Sequence, residues 1–85
     1  MLSTKIFKIE EIEEELFKEK FDQIWKGLEE KGYSPIAHIS GYILSNDPAY
    51  ITAHNGARKA AVELGRDLLL ETLIKEYLKN RKGDE

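Results

Sequence analysis

Apolar residues recur mostly every three or four positions along this chain, which is the spacing of one face of an α-helix. The clearest run predicts a first helix over residues 11–31. Glutamates crowd its beginning, where the helix dipole favours negative charge, and Gly32 follows it as a residue that suits a helix end. We expect residues 1–10 to form a flexible tail. The stripe of the helix consists of Ile12, Leu16, Phe17, Phe21, Ile24, Trp25 and Leu28.

A second, shorter helix is predicted to begin at Ser34 and Pro35. A serine caps the first turn with its hydroxyl, and proline suits the first helical position because its missing N–H has no partner there. Gly41 lies in the middle of this helix and would allow a close approach by another helix. We expect a short buried face made of Ile36, Ile39, Ile43 and Leu44.

Residues 45–58, which we call the corner, contain residues that fix the backbone rather than fill a core. Asn46 or Asp47 can cap a following turn that begins with Pro48. Asn55 and Gly56 supply a second turn signal. The pattern predicts a tight corner, one short turn of helix and another corner. With its flanking helices this segment has the outline of a helix-turn-helix.

Small residues dominate the next helix, in which Ala57, Ala60, Ala61 and Leu64 predict close packing against a neighbour. Gly65 is expected to end it, and Asp67 to cap the last helix. Apolar residues cover more than half of that last helix, which predicts central packing or a subunit interface. The candidates for a dimer interface are Leu69, Leu70, Leu73, Ile74, Tyr77 and Leu78.

Together these elements predict an all-α fold: a small bundle of four to five short helices with a helix-turn-helix-like core, in one domain over residues 11–82. A chain of 85 residues buries only a small core. Oligomers often supply the missing stability at this size, so we expect oligomerisation.

Composition excludes several classes of protein. The chain has no cysteine, which excludes disulfides and thiolate metal sites. It has no apolar run near the roughly 18 residues of a membrane span and no apolar signal-peptide region. We therefore expect a cytoplasmic protein with no membrane partner. A net charge of −3 gives no reason to expect nucleic acid.

Signals for catalysis are weak, so we expect no enzyme, no cofactor and no metal. Asp47 and His54 could form an acid–base or metal site across the corner, and Tyr50 and Arg58 could complete it. For the first two we favour the simpler explanation of a capping aspartate and a solvated or hydrogen-bonded histidine. Tyr50 and Arg58 are explained as well by a role in supporting the corner.

DNA binding is the alternative function that the helix-turn-helix outline raises. The helix after the corner offers His54, Asn55, Arg58 and Lys59. However, the acidic first helix opposes approach to phosphates, and the basic footprint of such proteins is missing. A DNA-binding regulator would bind duplex DNA in a salt-dependent way.

Three blocks of sequence, taken together, form a long and specific motif. They are KGYSPI at residues 31–36, GYILSNDPAYI at 41–51 and AR at 57–58, and residues 66–78 continue them. This motif resembles the IreB-type regulatory phosphoprotein family of small cytoplasmic proteins from Gram-positive bacteria. The resemblance implies a non-enzymatic, helical, homodimeric regulator that acts on an unknown downstream protein. It also implies phosphorylation by a transmembrane Ser/Thr protein kinase of cell-envelope stress signalling, and negative regulation of cephalosporin resistance.

The resemblance also places candidate site residues. The family's tail pattern, Thr-x-x-Phe-x-apolar, is matched by Thr4, Phe7 and Ile9, so Thr4 is the expected phosphosite, ahead of Ser3. Met1 stands where the family has a second threonine, and Asn46 where it usually has glycine. As residues of an interaction site or a structural corner we select Tyr42, Asp47, Pro48, Tyr50, His54 and Arg58.

Overall fold

The computed structural model describes the backbone of residues 2–83 and the side chains of residues 13–81. Over residues 2–83 the chain is all-helical and has no strand, which confirms the predicted fold class. None of the helices in that range is long and apolar enough to cross a membrane. The four α-helices are α1 (Leu2–Glu30), α2 (Pro35–Ser45), α3 (Ala57–Leu64) and α4 (Arg66–Gly83).

The predicted start of the first helix near residue 11 was wrong. The backbone is already helical from Leu2. The sequence carries a signal for this, since Leu2, Ile6 and Ile9 continue the spacing of four and three. No glycine or proline interrupts the chain before Gly27. The side chains of residues 1–12 lie outside the described residues, so the flexible tail stays a prediction, as does the boundary of the domain.

The turn between α1 and α2 confirms the predicted caps. Gly32 has a φ of +81°, the left-handed conformation that glycine adopts without strain. The N–H of Tyr33 donates to the carbonyl of Leu28 at 2.9 Å, which closes the end of α1. The hydroxyl of Ser34 accepts from the N–H of Ala37 at 3.3 Å, and Pro35 is the first residue of α2.

The core lies where α1 crosses α3, and the small residues of α3 allow a close crossing. A Cβ placed on Gly27 would lie 2.8 Å from the Cβ of Ala57 and 2.8 Å from the carbonyl oxygen of His54. The small-residue stripe predicted for α3 is therefore confirmed. The buried apolar residues are Phe17, Ile24, Leu28, Ile39, Tyr42, Ile51, Ala57, Ala60, Ala61 and Leu69.

The aromatic residues of α1 follow its apolar stripe. The rings of Phe17 and Phe21 are stacked with centroids 5.8 Å apart, and Phe21 lies 6.0 Å from the ring of Trp25. Phe21 and Trp25 are only partly buried and pack against the core from its edge. Leu16, which was assigned to the same stripe, is 48% exposed.

The predicted buried face of α2 was partly wrong. Ile39 is buried as expected, but Ile36 is 70% exposed and Leu44 is 83% exposed. Tyr42 takes the inner position instead and is only 3% exposed. A tyrosine can lie there because its hydroxyl donates to the carbonyl of Ala61 at 3.4 Å, so its polar end has a partner.

The end of α3 lies where the sequence predicts it, at Gly65. This residue has a φ of +82°, and its N–H donates to the carbonyl of Ala61 at 2.9 Å. Asp67 is not the cap of α4, because that helix already begins at Arg66. Asp67 lies in the first turn instead, where the helix dipole stabilises a negative charge.

The connection between α2 and α3 differs from a helix-turn-helix. Two short 3-10 turns, Pro48–Tyr50 and His54–Gly56, lie between the two helices. A helix-turn-helix joins its helices by a turn of about three to four residues. The helix-turn-helix-like core is therefore not seen here, and the DNA-binding alternative is not favoured.

Candidate functional site: the corner and the surface of α4

The first half of the corner is closed by side-chain hydrogen bonds. Ser45 donates its hydroxyl to the carbonyl of Gly41 at 2.7 Å and accepts from the N–H of Asp47 at 3.1 Å. The carboxylate of Asp47 then accepts from the N–H of Ala49 at 3.0 Å and so caps the first 3-10 turn. This confirms the capping role of Asp47 with Pro48 as the first residue of the turn.

Asn46 occupies the left-handed position that ends α2. Its φ is 60° and its ψ is 26°, and its N–H donates to the carbonyl of Tyr42 at 2.7 Å. Asparagine tolerates this conformation better than most residues. Asn46 is therefore suited to the left-handed end of α2.

The ring of Tyr50 lies directly on the backbone of α2 at Gly41. A Cβ placed on Gly41 would meet three carbons of the ring, all within 3.0 Å. The close approach predicted at Gly41 is therefore made by a ring of the corner and not by another helix. Tyr50 remains 44% exposed, so one side of the ring faces solvent.

Arg58 holds the middle of the corner in place with two hydrogen bonds. Its Nε donates to the carbonyl of Ile51 at 2.9 Å, and its backbone N–H donates to the carbonyl of Thr52 at 2.9 Å. Ile51 itself is fully buried. The supporting role considered for Arg58 is the one that the structure gives it.

The second 3-10 turn is held against α1 by two contacts. Nε2 of His54 lies 2.7 Å from a carboxylate oxygen of Glu30. The side-chain amide of Gln23 donates to the carbonyl of Asn55 at 2.9 Å. Neither Gln23 nor Glu30 was singled out from the sequence, because no local pattern marks a partner that is 32 or 24 residues away.

The corner does not assemble an acid–base or metal site from the residues considered for one. Asp47 serves as a cap and His54 pairs with Glu30, so the two side chains have separate partners. Among the described residues, no three His, Cys, Asp or Glu side chains are grouped so that they could hold a metal ion. The hydrogen bonds of the corner instead fix the positions of the helices around it.

The last helix leaves much of its apolar surface uncovered. Leu70, Ile74 and Tyr77, which we call the outer stripe, are 47%, 52% and 66% exposed and follow each other at helical spacing. Of the remaining dimer candidates, Leu69 is 1% exposed and belongs to the core, and Leu73 is half-buried. Of the dimer candidates, the outer stripe and Leu78 thus present exposed apolar surface.

A groove of about 1100 Å³ lies between α1 and α4; we call it the α1–α4 groove. Two ion pairs border it. Lys79 of α4 lies 3.4 Å from Glu14 of α1, and Lys20 of α1 lies 2.6 Å from Glu63 of α3. The lining residues include Glu13, Leu16, Phe17, Leu64, Leu68, Lys75, Leu78 and Arg81.

The ion pairs change the acidity of their members. The hydrogen bond from Lys20, and then its charge, lower the pKa of Glu63 below its ordinary value. The charge of Glu14, and then that of Glu76, raise the pKa of Lys79. Because these side chains are exposed, solvent screens the pairs and each adds little to stability.

The phosphosite candidates lie at the start of α1. The backbone at Ser3 and Thr4 is helical, in the first turn of α1, and their side chains lie outside the described residues. The sequence profile of the IreB regulatory phosphoprotein family matches residues 3–79. This match covers Thr4, the whole corner and most of α4.

Proposed function

The chain belongs to the IreB regulatory phosphoprotein family, and on that premise we propose that it is a cytoplasmic, non-enzymatic regulator in cell-envelope stress signalling. In this proposal a Ser/Thr protein kinase phosphorylates Thr4, and the protein acts by binding other proteins and thereby restrains antibiotic resistance. The family match over residues 3–79 is the observation that carries the proposal, because it includes Thr4.

The helical backbone at Thr4 indicates how a phosphate would act. A phosphate adds a charge of about −1.5 to −2 at neutral pH. In the first turn of a helix this charge is favoured by the helix dipole. Lys8 follows Thr4 by four residues, the spacing at which opposite charges stabilise a helix. We therefore expect phosphorylation to stabilise the beginning of α1.

A pairing of the phosphate with Arg58 of the same chain does not fit this geometry. Arg58 follows Ala57, which packs beside Gly27 of α1. Thr4 lies 23 residues before Gly27 on the same helix, a distance of about 35 Å at about 1.5 Å per residue. The local partner, Lys8, is the one that we propose.

The outer stripe supports a role in binding other proteins. Exposed apolar residues at helical spacing are typical of surfaces that contact another chain. We assign the outer stripe to the homodimer interface, since one self-complementary patch closes a two-fold dimer. Sedimentation velocity at tens of micromolar should give a dimer mass for the wild type and a monomer mass for Ile74→Asp. A monomeric wild type would remove the dimer from the proposal.

The phosphosite is tested by incubating the full chain with the kinase domain from the same organism. Intact-mass and peptide mass spectrometry should find one phosphate, at Thr4. Thr4→Ala should abolish the added mass, whereas Ser3→Ala should keep it. If no phosphate is added, or if it maps only within residues 13–81, the phosphorylation proposal fails.

A further inference from the structure

The α1–α4 groove offers an apolar surface that no described residue of the chain covers. α3 packs against both α1 and α4, whereas α1 and α4 are joined by the ion pair of Glu14 and Lys79 and leave the groove between them. Three leucines on its walls are about half exposed, namely Leu16 at 48%, Leu68 at 45% and Leu78 at 50%. A surface of this kind is typical of a binding site.

The chemistry of the walls excludes a small polar ligand. Small-molecule sites combine an apolar pocket with a few fixed polar groups that orient the ligand. Among the described residues, no polar or charged side chain is buried, so the groove has no such group. Its polar lining residues are lysine, arginine and glutamate side chains and Thr72, which is only half-buried.

The size of the groove matches a helix. A helix with a diameter of about 10 Å fills roughly 420 Å³ in each turn of about 5.4 Å. The volume of about 1100 Å³ therefore corresponds to two or three turns of a helix. An amphipathic helix buries one apolar stripe in such a groove and leaves its polar face in solvent.

The charges at the rim define which helix fits. The charged lining residues on the α1 side are Glu13, Glu14 and Lys20, and those on the α4 side are Lys75, Glu76, Lys79 and Arg81. Lys79 pairs with Glu14 and Glu76, whereas Lys75 and Arg81 form no ion pair with any described residue. An occupant with acidic residues along the edge that faces α4 would neutralise these two cations.

We propose that the α1–α4 groove binds an amphipathic helix of another protein. Two to three turns of this helix bury an apolar stripe against Leu16, Leu68 and Leu78. Glutamate or aspartate residues along one edge of the helix pair with Lys75 and Arg81. The proposal rests on the groove alone and does not depend on phosphorylation of Thr4.

Two synthetic helical peptides test this site on the full chain. Both are about 15 residues long, the minimum for a stable isolated helix, and both carry the same leucine stripe. One has glutamates along the edge of the stripe and the other has lysines. Fluorescence anisotropy of the labelled peptides should show that the glutamate peptide binds about tenfold more tightly than the lysine peptide. Lys75 and Arg81 attract the glutamates of the first peptide and repel the lysines of the second.

Matched substitutions locate the binding. Leu68→Asp should weaken binding of the glutamate peptide by about tenfold or more, because a charge enters the apolar wall. Val62→Asp is the control, because Val62 is similarly exposed, at 52% against 45%, but lies on α3 and does not line the groove. It should leave the peptide affinity unchanged. Lys75→Glu should reduce or reverse the preference between the two peptides.

Circular dichroism first confirms that each variant is folded. The proposal is overturned if the wild type binds neither peptide, or if Leu68→Asp and Val62→Asp weaken binding equally. It is also overturned if Leu68→Asp converts a dimer to a monomer, because a second copy of the chain would then occupy the groove. Loss of phosphorylation in a kinase assay would leave these outcomes unaffected.

Discussion

The ring of Tyr50 lies on the backbone of Gly41, where the side chain of any other residue would collide with it. A Cβ at this glycine would come within 3.0 Å of three ring carbons. The contact joins the first 3-10 turn to α2 and so holds the corner against the helix that precedes it. This explains why a helix interior contains a residue that weakens helices by about 1 kcal/mol relative to alanine.

Gly41→Ala should lower the free energy of unfolding by up to about 2 kcal/mol, because the overpacking outweighs the gain in helix propensity. Urea denaturation measures the change. In a Tyr50→Ala background the same substitution should instead stabilise the protein by about 1 kcal/mol, because the collision is gone. Stabilisation by Gly41→Ala with Tyr50 in place would contradict the contact.

Gly27→Ala should destabilise the crossing of α1 and α3 by about 2 to 3 kcal/mol. The added methyl would meet the Cβ of Ala57 and the carbonyl of His54, both at 2.8 Å, and neither atom can move without the backbone. The exposed neighbour offers a control, since Lys26→Ala should change stability by less than about 0.5 kcal/mol. Equal midpoints of urea unfolding for the two variants would show that the helices do not cross so closely.

Asn46 should be replaceable by glycine but not by alanine. Its φ of 60° strains an alanine by about 1 kcal/mol, whereas glycine adopts this conformation without strain. Thermal unfolding should therefore rank glycine at or above the wild type, and alanine clearly below both. If the Asn46→Ala variant were as stable as the wild type, the left-handed conformation of residue 46 would be contradicted.

The ion pair of Lys20 and Glu63 should respond to acid. The pKa of Glu63 is lowered in the folded chain from its ordinary value of 4.5. The pair therefore stabilises the folded chain at pH values above 4.5. The contribution is lost as the pH falls through the lower folded-state pKa. An NMR titration should find the Glu63 carboxyl below 4.5 in the wild type and closer to that value in Lys20→Met. A wild-type value unaffected by Lys20→Met would contradict the pair.

Residues that fix their own backbone were the most predictable part of the fold. Gly32, Ser34, Asp47 and Gly65 lie where the sequence places them, because a left-handed φ or a side-chain cap depends on one residue and its neighbours. The corner of turn, short helix and turn followed from the same local rules.

Contacts between distant segments could not be predicted in this way. The pairs of Glu30 with His54 and of Gln23 with Asn55 depend on how α1 passes the corner. The inward position of Tyr42 likewise depends on the carbonyl of Ala61, which lies 19 residues further along the chain. Apolar periodicity identifies the face of a helix, but the partner that covers it decides which residues are buried.

We propose that phosphorylation of Thr4 regulates this protein in the cell. The most direct measurement is peptide mass spectrometry of the protein isolated from its own cells, before and after treatment with an antibiotic that acts on the cell wall. We expect phosphate on Thr4, in an amount that changes with the stress, and none in a strain that carries Thr4→Ala. An unmodified Thr4 under both conditions would contradict the account.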